Sequence, residues 1–422
     1  MSDKRPVAVF DSFLDYLYNL QRLGIKVGLS HTRELLEQCD NPQDYFQSIH
    51  IAGTNGKGST CAMVAEILME KRLKVGLYSS PHLIRFNERI RVNGTPISNG
   101  EIITFIKKYK KYIDEIKSTF FETTTAMAFD HFRNHNVDVT IIETGLGGRL
   151  DSTNILKPVL TAITPISMDH CEILGDDIIS IAKEKAGIIK NDTPLLISPQ
   201  KVKIKALLAE ISFNQNAPMT TVPIPNHITS EISKTTFSVE GEKFEIPLIG
   251  RHQAMNGALA ISIAKAFDPN LSYDIIQKGL NNTQWPGRLQ LMSLSPPIIY
   301  DVAHNIEGIG AVLGTVNALF NCRPIGLFVM KRDKEFDLIV SAFQNQFERL
   351  IISGGAEYGL LTGEALGRIL HKNGLKKFTI NNSFTDALKD VIDLSRKKER
   401  PTLIFGSHYV AKEIFDKFGF LI

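Results

Sequence analysis

The residues best suited to chemistry lie in a glycine-rich stretch near the N-terminus. In "GTNGKGST" (53–60), Lys57 lies between two glycines and is followed closely by Ser59 and Thr60. In the usual phosphate-binding loop, Ser or Thr comes directly after the lysine, whereas here Gly58 does. A cationic side chain, hydroxyl groups and backbone N–H groups at one turn are suited to a triphosphate. The stretch therefore predicts a nucleotide-binding loop of an uncommon form.

An acidic residue ends an apolar segment farther along the chain. In "IIETGLGGRLDSTN" (141–154), Glu143 follows hydrophobic residues and precedes several glycines. A carboxylate at the end of a strand beside a phosphate loop suits Mg²⁺, which takes one or two carboxylates together with phosphate oxygens. The alternative is a buried acid that only accepts hydrogen bonds from the neighbouring N–H groups.

Other polar clusters are open to two interpretations. Arg85, Arg89 and Arg91 in "SSPHLIRFNERIRVNG" (79–94) lie near Ser80 and His82, and are either ligand contacts or surface charges. A further set is expected to face a cleft between domains, the usual place for a ligand. That set comprises Trp285, Arg288, Asp301, His304 and Asn305.

Strand and helix patterns alternate through most of the chain. "SIHIAG" is predicted to be a buried strand, and "STCAMVAEILMEKR" a helix after the glycine loop. This rhythm predicts an α/β fold: an N-terminal, mostly parallel sheet with helices on both faces, a small antiparallel β segment at 219–248, and a C-terminal open Rossmann-like domain. We predict domains at 1–294 and 295–422, with "SLSPP" (293–297) as the linker.

Composition excludes several classes of protein. The chain has 422 residues, 43% of them hydrophobic, and its 48 basic and 45 acidic residues give a formal charge of +3. This balance favours neither a nucleic-acid nor a membrane partner. The four cysteines have neither disulfide-framework nor zinc-finger spacing, and no signal-type or membrane-spanning apolar run occurs. A cytoplasmic protein is expected.

Seven stretches together closely resemble the folylpolyglutamate synthase/dihydrofolate synthase family, the folate branch of the Mur ligase superfamily. They are "GTNGKGS", "SSPHLIRFNERIRVNG", "ETGLGGRLDSTN", "DHCEILG…IAKEKAGIIK", "GRHQAMN", "WPGR" and "DVAHN". The resemblance runs from residue 10 to the C-terminus, with the motifs in order. This family's loop has Gly after the lysine, which accounts for Gly58.

The resemblance implies an ATP-dependent amide ligase. ATP would phosphorylate a carboxylate, and the amine of L-glutamate would attack the acyl phosphate, releasing phosphate. The implied acceptors are dihydropteroate, the glutamate tail of reduced folates, or both. The implied cofactors are ATP and two Mg²⁺ ions, and the implied enzyme is a monomer.

The resemblance also assigns residues to roles. Lys57, Lys185 and His170 are the implied catalytic residues, with Lys185 present as N6-carboxylysine, a carbamate. The implied metal ligands are Ser80, Glu143 and His170. The implied nucleotide contacts are Thr54, Asn55, Gly56, Lys57, Gly58, Ser59, Asn256, Arg288, Asp301 and His304. The implied pteroate contacts are Thr119, Phe120, Phe121, Glu122, Leu150, Asp151 and Ser152.

Two rival interpretations and two departures accompany this prediction. A cell-wall Mur ligase normally has an extra N-terminal domain, for which the 52 residues before the loop leave no room. A regulatory nucleotide switch would not need Asn256, Arg288 and Asp301.

The family often has Pro where this chain has Ile306, and a Gly that is missing from "VMKRDKEF" (329–336). Without the family, Lys185 would be taken for a solvated helix charge.

Overall fold

The computed structural model describes residues 5–24, 28–332, 334, 336–343 and 345–420. They form two compact units, each described by itself. Unit 1 comprises residues up to Ile166 together with Ile178–Val222 and Leu259–Gly279. Unit 2 comprises Ser167–Asp177, Pro223–Ala258 and the residues from Leu280 onward.

Unit 1 is built on an eight-stranded sheet. In chain order its strands are β1 (Gln47–Ala52), β2 (Val75–Tyr78), β3 (Ile90–Val92), β4 (Thr95–Pro96), β5 (Val139–Glu143), β6 (Leu160–Ile163), β7 (Leu195–Ile197) and β8 (Met219–Thr221). The spatial order is β4-β3-β2-β5-β1-β6-β7-β8. Only the pairs β2–β3 and β3–β4 are antiparallel. The predicted mostly parallel sheet is therefore confirmed.

Fifteen α-helices lie in the described chain. They are α1 (Arg5–Asn19), α2 (Ser30–Gln38), α3 (Lys57–Glu70), α4 (Asn99–Ile116), α5 (Phe120–Asn134), α6 (Cys171–Leu174), α7 (Ile178–Ala186), α8 (Val202–Asn214), α9 (Arg251–Phe267), α10 (Tyr273–Asn282), α11 (Ile306–Phe320), α12 (Phe336–Ser341), α13 (Gly363–Lys372), α14 (Phe384–Lys398) and α15 (Ala411–Phe418). Among the described residues, no helix combines the length and the apolar character needed to cross a membrane.

The strands that position the nucleotide loop are buried throughout. β5 is buried at every position, and β1 is exposed only at its first residue. Central parallel strands covered on both faces have such continuous apolar runs. The register pairs Ile51 with Glu143, so the glycine loop and the acid leave neighbouring strands at the same edge.

Unit 2 contains two sheets. Strands β9 (Asn226–Ser230), β10 (Thr235–Val239) and β11 (Glu242–Ile246) form the predicted antiparallel segment, whereas β8, predicted as part of it, joins the parallel sheet. The six-stranded sheet contains β12 (Gln290–Leu294), β13 (Pro297–Asp301), β14 (Ile325–Phe328), β15 (Arg349–Ile352), β16 (Thr379–Ile380) and β17 (Thr402–Phe405), in the order β12-β13-β17-β14-β15-β16.

The predicted linker at 293–297 is wrong as a structural interpretation. β12 and β13 pair antiparallel, so the proline-bearing stretch is the turn of a hairpin inside the six-stranded sheet. Turn residues between strands and residues of a linker have the same composition, and only the pairing distinguishes them. The other strands of this sheet pair parallel, as expected for an open α/β domain.

A buried histidine in β1 predicts acid sensitivity. His50 has no exposed surface, its Nε2 lies 2.8 Å from Thr153 Oγ1, and burial, with a smaller contribution from Lys190, lowers its pKa to about 3. As the pH falls below about 6.5, the unfolded chain binds a proton that the folded chain excludes. The stability present above that pH is therefore lost progressively toward pH 3. From pH 7 to pH 5 this one histidine should lower the free energy of unfolding by about 2 kcal/mol.

Urea unfolding of the protein and of His50→Gln at pH 7 and pH 5 measures this loss. We expect the pH-dependent decrease to be smaller in His50→Gln and unchanged in His371→Gln, which alters an exposed histidine. An equal decrease in all three proteins would show that His50 does not carry the effect.

Candidate functional site

The glycine loop connects β1 to α3 through two residues with positive φ. Gly53 has φ +144° and Gly56 has φ +89°, and residues other than glycine rarely adopt these values. A Cβ atom at Gly53 would lie 1.8 Å from Thr164 Oγ1. The first turn of α3 presents N–H groups that have no partner within the helix. The sequence therefore predicted the strand, turn and helix correctly.

Two hydroxyl groups in this turn lack partners. Ser59 and Thr60 are 1% and 0% exposed, and neither Ser59 Oγ nor Thr60 Oγ1 has a hydrogen-bond partner among the described residues. A buried polar atom without a partner costs roughly 1–3 kcal/mol. A bound phosphate oxygen, or a cation beside it, would satisfy them.

Two lysines converge on one carbonyl oxygen at the start of the loop. Lys57 Nζ lies 3.1 Å from Gly53 O and 3.2 Å from Thr54 O. Lys185 Nζ donates to the same Gly53 O at 2.8 Å, and Lys185 is only 5% exposed. A buried lysine needs a compensating interaction. The structure thus places Lys185 inside the site rather than on a solvated helix face.

Glu143 lies at the end of β5, beside the loop that follows β2. Glu143 is 4% exposed, and its Oε2 accepts a hydrogen bond from the Ser80 N–H at 3.2 Å. Two of the three predicted metal ligands are therefore adjacent within unit 1. The third, His170, belongs to unit 2, where its Nε2 lies 3.9 Å from Asp169 Oδ1.

The segment after Glu143 is held to α7, the helix that carries Lys185. Arg149 Nε and an Arg149 Nη donate to Glu184 Oε1 at 3.1 and 2.8 Å. A Cβ atom at Gly148 would lie 2.8 Å from Lys185 O, and one at Gly187 would lie 2.3 Å from Arg149 Cβ. The glycines permit this close packing, which fixes α7 and therefore Lys185.

Asp151 stabilises the same segment. Its carboxylate accepts hydrogen bonds from the N–H groups of Gly145, Leu146 and Thr153 at 2.9, 2.8 and 3.0 Å. Burial raises the pKa of Asp151, and these hydrogen bonds oppose that rise. Leu150 and Ser152 flank it, and Ser152 begins a short 3-10 helix, Ser152–Ile155. The observed role of Asp151 is to hold the loop in place.

Aromatic rings surround the first residue of α5. Phe120 stacks on Tyr18 with ring centroids 5.8 Å apart and contacts Phe86 edge-on at 6.1 Å. The Arg89 guanidinium lies 5.2 Å from the centroid of Phe120, and Arg89 Nε lies 2.8 Å from His82 Nδ1. Burial and Arg89 lower the pKa of His82 to about 3, so its ring is neutral at pH 7. These rings form an aromatic wall that is largely buried, with Phe120 and Phe86 only 7% and 2% exposed.

The remaining predicted pteroate residues hold the start of α5. Thr119 N–H donates to Glu122 Oε2 at 2.7 Å and Glu122 N–H to Thr119 Oγ1 at 3.3 Å, a capping box. Phe121 lies against Gly145, where a Cβ atom would be 2.3 Å from the Phe121 ring. The Thr-x-x-Glu pattern was present in "TFFE", and could have been interpreted as a helix start.

In unit 2 two of the predicted nucleotide contacts, Asp301 and Asn256, are buried polar groups, whereas Arg288 and His304 are partly exposed. Asp301 accepts hydrogen bonds from Leu289 N–H at 2.8 Å and Ala303 N–H at 2.7 Å. Burial raises the pKa of Asp301, and the nearby Arg288 guanidinium opposes the rise. Asn256 is 5% exposed and donates to Gln253 Oε1 at 3.0 Å. Asp301 thus fixes the backbone just before β12 and just after β13.

A cavity of about 140 Å³ in unit 2 has Asp169 in its lining. The carboxylate lies 3.1 Å from both Lys334 Nζ and Asn305 Nδ2, and 3.7 Å from His304 Nε2. Burial raises the pKa of Asp169, but His304, His170 and Lys334 outweigh burial and hold that pKa well below its usual range. The lining also includes His170, Glu172 and Arg332.

Sequence reasoning gave Lys334 and Arg332 no role. They lie in "VMKRDKEF", where only the missing glycine was noted, and no local pattern marks a cation that reaches a distant acid. Asp333 and Glu335 of this stretch lie outside the described residues. Ile306, the other departure from the family pattern, is the first residue of α11 and lines the cavity.

Replacing Gly53 by alanine should disable the loop. The added Cβ would overlap the Thr164 hydroxyl at a φ that alanine rarely adopts. Strain of this kind and overpacking each cost roughly 1–3 kcal/mol. We expect ADP affinity to fall at least about tenfold, as measured by calorimetry, because the loop must shift. Gly94→Ala is the matched control, since Gly94 has φ +75° but no atom within 4 Å of the added Cβ; equal losses in both variants would contradict the steric argument.

Comparison with known proteins identifies the family that the chain resembles. The family model described as the Mur ligase middle domain matches residues 51–264. A Bacillus subtilis protein named dihydrofolate synthase/folylpolyglutamate synthase is 36% identical over an alignment of 355 residues, which covers 79% of this chain and 81% of the relative. A Schizosaccharomyces pombe protein named probable dihydrofolate synthetase is 35% identical over 432 residues, covering 93% of this chain and 98% of the relative.

Solved structures resemble the chain over nearly its whole length. Folylpolyglutamate synthase from Mycobacterium tuberculosis, complexed with ADP and AMPPCP, superposes with a TM-score of 0.89 at 29% identity and covers 97% of this chain and 98% of its own. FolC from Escherichia coli, in complex with DHPP and ADP, gives a TM-score of 0.85 at 27% identity and covers 97% of each chain.

Proposed function

Since this chain belongs to the dihydrofolate synthase/folylpolyglutamate synthase family of Mur ligases, we propose that it is an ATP-dependent ligase that adds L-glutamate to dihydropteroate, to reduced folates, or to both. The family members are ligases that form an amide bond at the expense of ATP. The observation that carries the proposal is the nucleotide loop, where Lys57 and buried Lys185 meet at Gly53 O beside two unpartnered hydroxyls.

The loop supports ATP as the phosphoryl donor. A triphosphate carries several negative charges, and helix N-termini, lysines and hydroxyls are the groups that bind phosphates. Ser59 and Thr60 would gain the partners that they lack within the described chain. Thr54, Asn55, Gly56 and Gly58 shape the turn, and Asn256, Arg288, Asp301 and His304 are proposed as nucleotide contacts.

The proposed reaction has two steps. A carboxylate oxygen of the pterin substrate attacks the γ-phosphorus, the bond to the bridging oxygen breaks, and ADP leaves. The amine of L-glutamate then attacks the acyl carbon, loses a proton, and expels inorganic phosphate that keeps one former carboxylate oxygen. Positioning and neutralisation of charge contribute most to phosphoryl transfer. Lys57 would neutralise the transferred group.

The residues present fit a Mg²⁺ site. Glu143 is a buried carboxylate beside the loop, and the orphaned Ser59 hydroxyl and the neighbouring Ser80 are oxygen donors of the type that Mg²⁺ prefers. His170 is retained as a proposed ligand of a second ion. When bound, Mg²⁺ would offset the negative charge of the phosphates.

Lys185 is proposed to act as a carbamate. The amine loses a proton on reaction with CO₂ and becomes an anionic group with two oxygens, which would attract the second ion where an ammonium would repel it. The carbamate nitrogen keeps one hydrogen, so the hydrogen bond to Gly53 O can persist. The clamped position of α7 supports such a role.

The aromatic wall around Phe120 supports a pterin subsite. Phe120 and Phe121 begin α5, and Thr119 and Glu122 hold that start in place. A pterin ring would stack on an aromatic face of this subsite. Leu150, Asp151 and Ser152, in the segment that follows β5, are proposed as the other pteroate contacts.

The Asp169 cavity supports a glutamate subsite in unit 2. L-Glutamate carries two carboxylates and one ammonium group, and the lining offers Arg332 and Lys334 for the former and Asp169 and Glu172 for the latter. We retain as proposals an ATP-binding domain with the folate pocket at 1–294 and a glutamate-ligase domain at 295–422. Asp301 and His304 are proposed nucleotide contacts from the second domain, and Asp169–Glu172 are proposed glutamate contacts from the first. The proposed enzyme is a monomer, which light scattering tests.

Release of ADP provides the test. Dihydropteroate and tetrahydrofolate are supplied separately with ATP and Mg²⁺, with and without L-glutamate. We expect ADP release that needs both glutamate and at least one pterin substrate. ADP release that is independent of glutamate would overturn the proposal. A requirement for a UDP-linked peptide, the substrate class of cell-wall Mur ligases, would also overturn it.

A further inference from the structure

Unit 1 contains a histidine pair that the proposed reaction does not use. His131 lies in the last turn of α5 and His135 caps its C-terminus, and their ring centroids are 4.1 Å apart. Glu101, from the first turn of α4, faces both rings: its Oε1 lies 3.4 Å from His131 Nδ1 and 3.3 Å from His135 Nε2. We propose that Glu101, His131 and His135 form a binding site for a divalent transition-metal ion, with Zn²⁺ as its representative.

The two distances from Glu101 Oε1 fit tetrahedral coordination. Zinc bonds to imidazole nitrogen and carboxylate oxygen are about 2.0–2.2 Å long, which places two ligands of a tetrahedral ion roughly 3.3–3.6 Å apart. The two measured separations from Glu101 Oε1 lie in or close to that range, and all three donor atoms lie within 4.8 Å of one another. Three protein ligands leave a fourth position for water.

The surroundings orient each donor atom. Glu101 Oε2 accepts hydrogen bonds from Ser98 N–H at 2.9 Å and Ser98 Oγ–H at 2.6 Å, which leaves Oε1 to face the rings. His135 Nδ1 lies 2.9 Å from His131 O, so Nδ1 carries the proton and Nε2 presents its lone pair. A histidine that donates its other N–H to a carbonyl is the arrangement found around bound metals.

The cluster is accessible from solvent. The side chain of His131 is 6% exposed, whereas those of His135 and Glu101 are 36% and 40% exposed, which gives an ion a route from solvent. Imidazole with a carboxylate favours transition metals over Mg²⁺.

The cluster is distinct from the phosphate site. Phe121, in the first turn of α5, packs against Gly145 in the segment after Glu143. His131 lies ten residues farther along the same helix. At 1.5 Å per residue the separation is about 15 Å. A bound ion would join α4 to α5, so we expect a stabilising effect on unit 1 rather than a part in phosphoryl transfer.

Titration of the full-length protein with Zn²⁺, and with Co²⁺ as a visible-absorption probe, tests the site. We expect one tightly bound equivalent, intense d–d absorption typical of four-coordinate Co²⁺, and a thermal midpoint raised by roughly 5 °C at saturation. Glu101→Gln keeps a residue able to form the capping box, and His135→Gln alters a half-exposed side chain; each should weaken Zn²⁺ binding at least about tenfold.

Two controls make the result specific. His371→Gln removes an exposed histidine from the last turn of α13, and Glu143→Gln alters the proposed Mg²⁺ site; both should bind Zn²⁺ as the unmodified protein does. Circular dichroism verifies that each variant is folded. Failure of the unmodified protein to bind Zn²⁺, or equal binding by it and by both cluster variants, would overturn the proposal.

Discussion

Replacing Lys185 by alanine is expected to lower glutamate-dependent ADP release by roughly 10²–10³-fold, the loss seen when one preorganised charge-stabilising group is removed from an active site. The buried Lys185 amine lies 2.8 Å from Gly53 O at the base of the loop. Nucleotide binding should largely persist, because Lys57 and the first turn of α3 remain. Steady-state kinetics and calorimetry with ADP measure the two quantities separately.

Two further variants separate the proposed carbamate from a plain cation. Lys185→Arg keeps the positive charge but forms no carbamate under these conditions, so it should be nearly as inactive as Lys185→Ala. Lys183→Ala, an exposed residue of the same helix, should retain activity. Full activity in Lys185→Ala would contradict the mechanism, and full activity in Lys185→Arg would contradict the carbamate alone.

Replacing Glu143 by glutamine should raise the Mg²⁺ concentration needed for half-maximal binding of ADP by at least about tenfold. The amide keeps the volume of the side chain and can still accept a hydrogen bond from Ser80 N–H, but it removes the buried negative charge. Mg²⁺ prefers carboxylate oxygens, so the metal should be bound less tightly.

The Mg²⁺ titration has a readout independent of turnover, since a fluorescent ADP analogue reports binding directly. Glu115→Gln, which changes an exposed acid on α4, is expected to leave the titration unchanged. If Glu143→Gln needs no more Mg²⁺ than the unmodified protein, Glu143 is only a buried acceptor for Ser80 N–H, the alternative that the sequence left open.

The elements around the nucleotide loop were predictable because their local signals agree. An apolar run, two glycines flanking a lysine, and a helical pattern indicate a strand, a turn and a helix in succession, and the structure has β1, the loop and α3 at those places. The predicted fold class, the family and the ATP-dependent ligase function are confirmed. The predicted cytoplasmic location and the roles of individual residues stay predictions.

The parts that were missed depend on contacts between distant residues. Helical period places Lys185 on one side of α7, but only the packing of Gly148 and Gly187 brings that side to Gly53 O. The hairpin β12–β13 was mistaken for a linker because strand pairing leaves no mark in a proline-rich turn. Asp169 is one acid beside a histidine in the sequence, and its partner Lys334 lies 165 residues away.

Transfer of an oxygen atom from the substrate carboxylate to phosphate would show directly that an acyl phosphate forms. A pterin substrate whose reacting carboxylate is labelled with oxygen-18 is turned over with ATP and L-glutamate, and the released phosphate is analysed by mass spectrometry. If the carboxylate is activated as an acyl phosphate, each phosphate carries one labelled oxygen derived from that carboxylate. If the amide forms while the released phosphate contains no label, the carboxylate is not activated as an acyl phosphate.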